Sequence, residues 1–218
     1  MVETKESLAK DKKISVWAAA GIIVLVIVII IGSGMFIGRQ FFWNQQERMT
    51  KLEHDLQVAV ANVQREPENP AYRVDLGYVY FRMGDYESAE KEFANALKLD
   101  PGRLSAKYNL ALLKAELKEF DTAKTLLEEV VRDNPKFISG HASLGNLYLL
   151  MEEYDKALEE FNTVLKLFPT SSDAYYYIGQ TYEKMGQIEK ARENYEQALK
   201  FDPKHQGANE ALKKLEAD

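Results

Sequence analysis

Residues 70–103 read PAYRVDLGYVYFRMGDYESAEKEFANALKLDPGR, and three further stretches of the same length, 104–137, 138–171 and 172–205, return the same residue classes at the same offsets. The seventh position is Leu76, Leu110, Leu144 and Ile178, and the eighth is Gly77, Ala111, Gly145 and Gly179. The eleventh is Tyr80, Lys114, Tyr148 and Tyr182, and the twentieth is alanine throughout: Ala89, Ala123, Ala157 and Ala191. The twenty-fourth is Phe93, Leu127, Phe161 and Tyr195, and the twenty-seventh Ala96, Val130, Val164 and Ala198. Of the six prolines in the chain, Pro67, Pro101, Pro135, Pro169 and Pro203 stand 34 residues apart, so the chain is an array of repeats.

Each class has a physical cause. Small residues at the eighth and twentieth positions let two helices pack at close range, and the large ones at seven, eleven and twenty-four fill the space around that contact. Proline closes the second helix, because it has no N–H to donate and disfavours helical geometry in the residue before it. One unit is therefore an antiparallel helix pair, and the fold class is all-α.

The pattern resembles the tetratricopeptide repeat family, whose 34-residue unit carries a Leu-Gly pair, Tyr, Ala, Phe, Ala and Pro at these offsets. The resemblance implies a right-handed α-solenoid of four helix pairs. Departures are local: the fourth position, commonly Trp in the family, is Arg73, Lys107, His141 and Tyr175, and Lys118 and Glu152 replace the turn glycines Gly84 and Gly186. The second unit, with Lys114 and no glycine, fits worst, and its helix pairing is the one expected to deviate.

The flanks complete an array. Leu52, Leu56, Val60 and Val63 recur at helical spacing up to Pro67, which predicts a juxtamembrane linker helix within 38–66, with the repeat domain covering 67–218. Residues 206–217 carry Ala208, Ala211, Leu212 and Leu215 amid charges, as expected of a helix that caps the last unit.

From Ile14 to Ile31 the only polar side chain is Ser15, and the apolar character continues to Ile37. As a helix, 14–37 would be about 36 Å long, enough for a hydrocarbon core of about 30 Å. We read it as one transmembrane helix after a cytoplasmic tail, 1–13, because a cleaved signal peptide has a shorter apolar region. Lys12 and Lys13 abut the span on one side and Phe41, Phe42 and Trp43 form an aromatic belt on the other, placing the repeats outside the cytoplasm. Gly34 and Gly38 are four apart, a spacing that lets two membrane helices approach closely; glycine is also frequent in membrane helices, and both readings stay open.

Composition narrows the function. The net charge is −6, and −7 from Pro67 onward, so a phosphate backbone would be repelled and nucleic-acid binding is disfavoured. The absence of cysteine excludes disulfides, thiolate metal sites and a catalytic thiol. His54, His141 and His205 are scattered, and glutamate pairs such as Glu128-Glu129 point about 100° apart on a helix, as on a solvated face. No phosphate loop, nucleophile elbow or His-Glu-x-x-His sequence occurs. The expectation is no enzyme, no cofactor, no metal and no small-molecule substrate.

In proteins that resemble this one, first helices line a concave groove through offsets 2, 5, 9, 12 and 13. These positions, with Asn109 beside them, nominate Tyr78, Phe81, Tyr108, Asn109, Leu112, Asn146, Leu149, Tyr176 and Gln180 as the partner-binding groove. Tyrosine and phenylalanine in a recess are typical anchors for a peptide or helix of another protein, although tyrosine also packs between units. A subclass of the family grips the carboxylate terminus of cytosolic chaperones with lysine, asparagine and arginine at fixed offsets. Those offsets hold Val74, Tyr78, Asn109, Ser139 and Ser143, or Tyr108, Leu112, Ser143, Asp173 and Tyr177, so only Asn109 matches and that ligand is not expected. The sequence reading is a membrane-anchored scaffold that holds a partner polypeptide, in envelope assembly, secretion or quality control. The alternative is a homo-oligomer or fixed subunit of a larger membrane complex.

Overall fold

A computed structural model describes residues 50–217. From Asp55 onward the chain forms one compact unit. The proposed membrane span 14–37, with Gly34 and Gly38, lies outside the described residues; among those described, no helix is long and apolar enough to cross a membrane.

Residues 50–65 are helical (α1), and nine helices follow: α2 Pro70–Met83, α3 Tyr86–Leu99, α4 Leu104–Glu116, α5 Phe120–Asp133, α6 Ile138–Leu150, α7 Tyr154–Leu167, α8 Ser172–Lys184, α9 Ile188–Phe201 and α10 Gln206–Ala217. No strand occurs among the described residues. Each helix packs on the next in sequence from α2 to α10, which builds the tetratricopeptide-like solenoid. First helices also touch each other in series, α2 with α4, α4 with α6 and α6 with α8. That second set of contacts puts the first helices on the inner curve of the array.

The units repeat in backbone detail. At the end of every second helix, Asp100, Asn134, Phe168 or Asp202 donates its N–H to the carbonyl four residues back. Each then adopts an extended conformation, with φ between −133° and −141°, as the following proline demands. Between the helices of each pair, Gly84, Lys118, Glu152 and Gly186 all take left-handed φ, from 61° to 80°. Lysine and glutamate are strained there by roughly 1–2 kcal/mol, whereas a glycine costs about 0.4–1 kcal/mol through its freer unfolded chain. Lys118→Gly should therefore raise stability by about 0.5 kcal/mol. A higher urea midpoint at unchanged slope would show this; an unchanged or lower midpoint would refute it.

The helix contact within each pair is set by the eighth and twenty-fourth positions. Phe93, Phe161 and Tyr195 are fully buried, and each lays its ring over a glycine: a Cβ on Gly77 or Gly145 would lie 2.7 Å from the ring, and one on Gly179 2.6 Å. The second unit has Ala111 in place of glycine, and opposite it stands Leu127 in place of the ring, both in the central core. The extra methyl and the smaller partner compensate.

The second unit also accommodates Lys114. Tyrosine at the equivalent place in the third unit, Tyr148, reaches back to the preceding second helix and donates its hydroxyl to Glu128 at 2.7 Å. Lys114 is buried and reaches back likewise, to Glu90 at 2.7 Å, and also pairs with Glu119 at 3.0 Å. Burial opposes its charge, yet the bonds to Glu90 and Glu119 outweigh it and hold the ammonium above its ordinary range. In this way α4 still pairs with α5.

Two ends are closed differently. Against α2, α1 buries Ala59 beside Leu76 and Val79, with Leu56, Val60 and Val63 around them. At the other end α10 buries Ala208 against Ala191, Tyr195 and Ala198. His205 begins that last helix, its Nδ1 accepting from the N–H of Ala208 at 3.1 Å.

Candidate partner-binding site

The nine nominated residues all lie on first helices, and the structure sorts them into three groups. Tyr78 and Asn109 line a recess of about 310 Å3 between α2 and α4, together with Ala71, Val74, Asp75 and Arg103. Tyr78 is 46% exposed, with the Arg82 guanidinium 5.9 Å from its ring centre. Asn109 spends its amide on the carbonyl of Ser105 at 2.8 Å. Phe81 is half-buried and turns into the first core, beside Tyr86 at 5.8 Å.

Tyr108, Leu112 and Asn146 lie in the middle and are half-buried. Tyr108 is tied to the next unit by its hydroxyl, which shares a hydrogen bond with Ser143 at 3.1 Å, and its ring meets Phe137 at the end of its own unit edge-on at 5.1 Å. It holds α4 to the next unit and presents only part of its surface.

Leu149, Tyr176 and Gln180 line a second cleft of about 610 Å3, whose opposite wall is α10 through Gly207, Glu210, Ala211 and Lys214. The neighbouring Leu150, which also lines this cleft, is 66% exposed. Gln180 donates to the Tyr176 hydroxyl at 2.7 Å, and the Tyr176 ring rests on His205 at 4.8 Å. Burial pushes the Tyr176 hydroxyl above its ordinary range. Across the cleft floor, Tyr195 donates to Glu183 at 2.7 Å, and Lys214 of α10 reaches the other oxygen of the same carboxylate at 2.7 Å. Burial alone would raise the Glu183 carboxyl, but Lys214 and Tyr195 overcome it and hold it below the usual carboxylate range.

The sequence reading named α10 as a cap and missed that it walls a cleft. Gly207 is the signal that could have shown it, since a Cβ there would lie 2.7 Å from the Tyr176 ring, so glycine lets the helix close on that side chain. Nor was the role of Glu128 and Glu129 visible: they anchor Tyr148 and Lys107, with Lys107 to Glu129 at 2.9 Å, and are more than a solvated face. Among the described residues no group of three or more histidine, aspartate or glutamate side chains could hold a metal ion.

Three family models match the chain: two described as tetratricopeptide repeat, over residues 172–205 and 80–147, and one described as TPR repeat, over 145–186. Together they run without a break from residue 80 to residue 205. The chain belongs to the tetratricopeptide repeat family. Solved structures agree on the fold of this tetratricopeptide array. A crystal structure of MamA is 23% identical and covers 73% of this chain and 94% of its own, with a TM-score of 0.64. That of YrrB, described as a TPR protein with an unusual peptide-binding site, is 25% identical and covers 78% of this chain and 88% of its own, with a TM-score of 0.64. A third, a thermophilic TPR protein of Thermus thermophilus, is 19% identical and covers 80% of this chain and 95% of its own, with a TM-score of 0.64. Among curated proteins none matches. The tetratricopeptide fold of this chain is that of a protein–protein interaction scaffold.

Proposed function

We propose that this tetratricopeptide array is a non-enzymatic scaffold, anchored to a membrane through residues 14–37, that holds a segment of a partner polypeptide along its first helices. One observation carries the reading: the first-helix side keeps large apolar surface open at Tyr78 and Leu150, at the two ends of a strip that contains both recesses. Interfaces gain most from aromatic and aliphatic anchors seated in such recesses. The nine nominated side chains are the contact set, and Tyr78 is the one among them that is exposed while the others are half-buried. The apolar run before the array places this work at a membrane, and Lys12 and Lys13 favour an extracytoplasmic array, in envelope assembly, secretion or quality control.

A photoreactive residue at position 78 or 112 of the full chain in intact cells should give crosslinked products of discrete mass, and one at position 196, exposed on α9, should not. Products from position 196 alone would move the partner to the outer side. Mass measurement of the complex in mild detergent distinguishes a transient client from a fixed subunit or homo-oligomer, which would co-purify in stoichiometric amounts.

A further inference from the structure

The fourth position of each unit holds the first helix to its surroundings, and the third unit does so with a histidine. In the first unit, Arg73 donates through Nη1 to Glu92 at 2.9 Å and through Nε to the carbonyl of Pro67 at 3.1 Å. The equivalent atoms return around His141. Its Nδ1 lies 2.6 Å from Glu160, which occupies the unit position of Glu92, and its Nε2 lies 3.1 Å from the carbonyl of Pro135, which corresponds to Pro67. His141 is buried. In the second unit Lys107 fills the same role with Glu129 and Asp133, and in the fourth Tyr175 stacks on Phe201 instead.

A carbonyl oxygen can only accept a hydrogen bond, and so can an ionised carboxylate. A neutral imidazole has one N–H, so it can satisfy one of these two partners. The set is complete only when the His141–Glu160 pair holds one proton more than a neutral ring beside a carboxylate. We infer that His141 is a proton-dependent staple, standing where the first unit has a permanent cation, and that it binds the end of α5, α6 and α7 together only when that proton is present.

The other histidines provide the contrast. His205 accepts at Nδ1 from the N–H of Ala208 and lies at Nε2 3.1 Å from Asp173, an arrangement completed by the neutral ring with its proton on Nε2. His54 is exposed. The charged groups set around the staple are Glu160 of α7 and, on the far side of Glu160 around Tyr148, Glu128 of α5 with Glu153 and Lys156 at the start of α7. Lys156 is already bonded to Glu153, and at the end of α5 Asp133 is already engaged by Lys107 and Arg132. No cation other than His141 pairs with Glu160 among the described residues. Two residues further along α6, Ser143 joins Tyr108, so the staple sits behind the middle of the first-helix strip.

The sign of the pH dependence follows. A folded state that holds a proton the unfolded chain gives up is favoured at low pH and loses that contribution as pH rises. Thermal unfolding of the full chain in mild detergent, from pH 5.5 to 8.5, tests this for the natural protein, His141→Arg and His141→Gln. The natural protein should lose about 2–4 °C over that range relative to either variant, approaching His141→Gln at the alkaline end. Should the arginine variant not fold, the comparison with glutamine still decides. Curves that run parallel throughout would overturn the staple. Independently, NMR of labelled histidine nitrogens and glutamate carboxyl carbons at the acid end of that range should find the extra proton on the His141–Glu160 pair; a neutral His141 ring beside an ionised Glu160 would overturn it.

Discussion

Replacing Gly145 by alanine should lower the stability of the array by about 1–3 kcal/mol, the usual cost of forcing an extra methyl into a packed core. The added Cβ would stand 2.7 Å from Phe161, a ring with no exposed surface, and α6 lies so close to α7 that neither helix can yield alone. The second unit shows what would relieve it: Ala111 is tolerated because its partner is Leu127. Phe161→Leu alone should be destabilising through the space it leaves. In the double variant, alanine and leucine reproduce the pairing of the second unit, so the two costs should fail to add. Urea unfolding of the four proteins measures the coupling as a double-mutant cycle. Additive losses would mean that the glycine is held for another reason than its contact with the ring.

The second large effect concerns binding. Tyr78→Ala should weaken capture of the partner by roughly thirtyfold or more, since truncating an aromatic anchor typically costs about 2 kcal/mol and each decade of affinity is about 1.4 kcal/mol. Its hydroxyl has no bond to another residue of the described chain and nearly half its surface is open, so the array should stay folded, with unchanged circular dichroism. Tyr108 is a poorer probe despite its central place, because its bond to Ser143 joins two units and its ring packs on Phe137 within its own, and its loss would mix binding with stability. For the opposite surface, Glu193 and Glu196 on α9 are exposed and are suitable controls; changed to glutamine, they should alter affinity by well under 1 kcal/mol. If those changes abolish capture and Tyr78→Ala leaves it intact, the partner docks on the outer side.

The helix pairs were legible in the sequence because their causes are local and periodic. A small residue at the eighth and twentieth positions, a large one at the twenty-fourth and a proline at the thirty-second state, within 34 residues, where two helices touch and where the second ends. The pairing of Ala111 with Leu127 is visible in the same way, once it is set beside Gly145 and Phe161. Even the left-handed turns at Lys118 and Glu152 follow from their alignment with Gly84 and Gly186.

Offsets alone could not separate an open aromatic from one that joins two units. Tyr78 and Leu112 share the ninth offset, and Tyr108 and Tyr176 the fifth, yet Tyr78 is open while Tyr108 is held by Ser143 and Tyr176 is covered by His205 and Gly207. The difference lies in the neighbouring unit or cap, about 30 residues away in the chain, where the residue that meets each ring is not part of the repeating pattern. The same holds for charge. Glu128 and Glu160 look alike as members of glutamate pairs on second helices, and only packing gives one a tyrosine hydroxyl and the other a buried histidine. Repetition specifies the contacts that every unit makes. The contacts that distinguish one unit from the next depend on how far particular side chains reach across the junctions, and tertiary structure decided those.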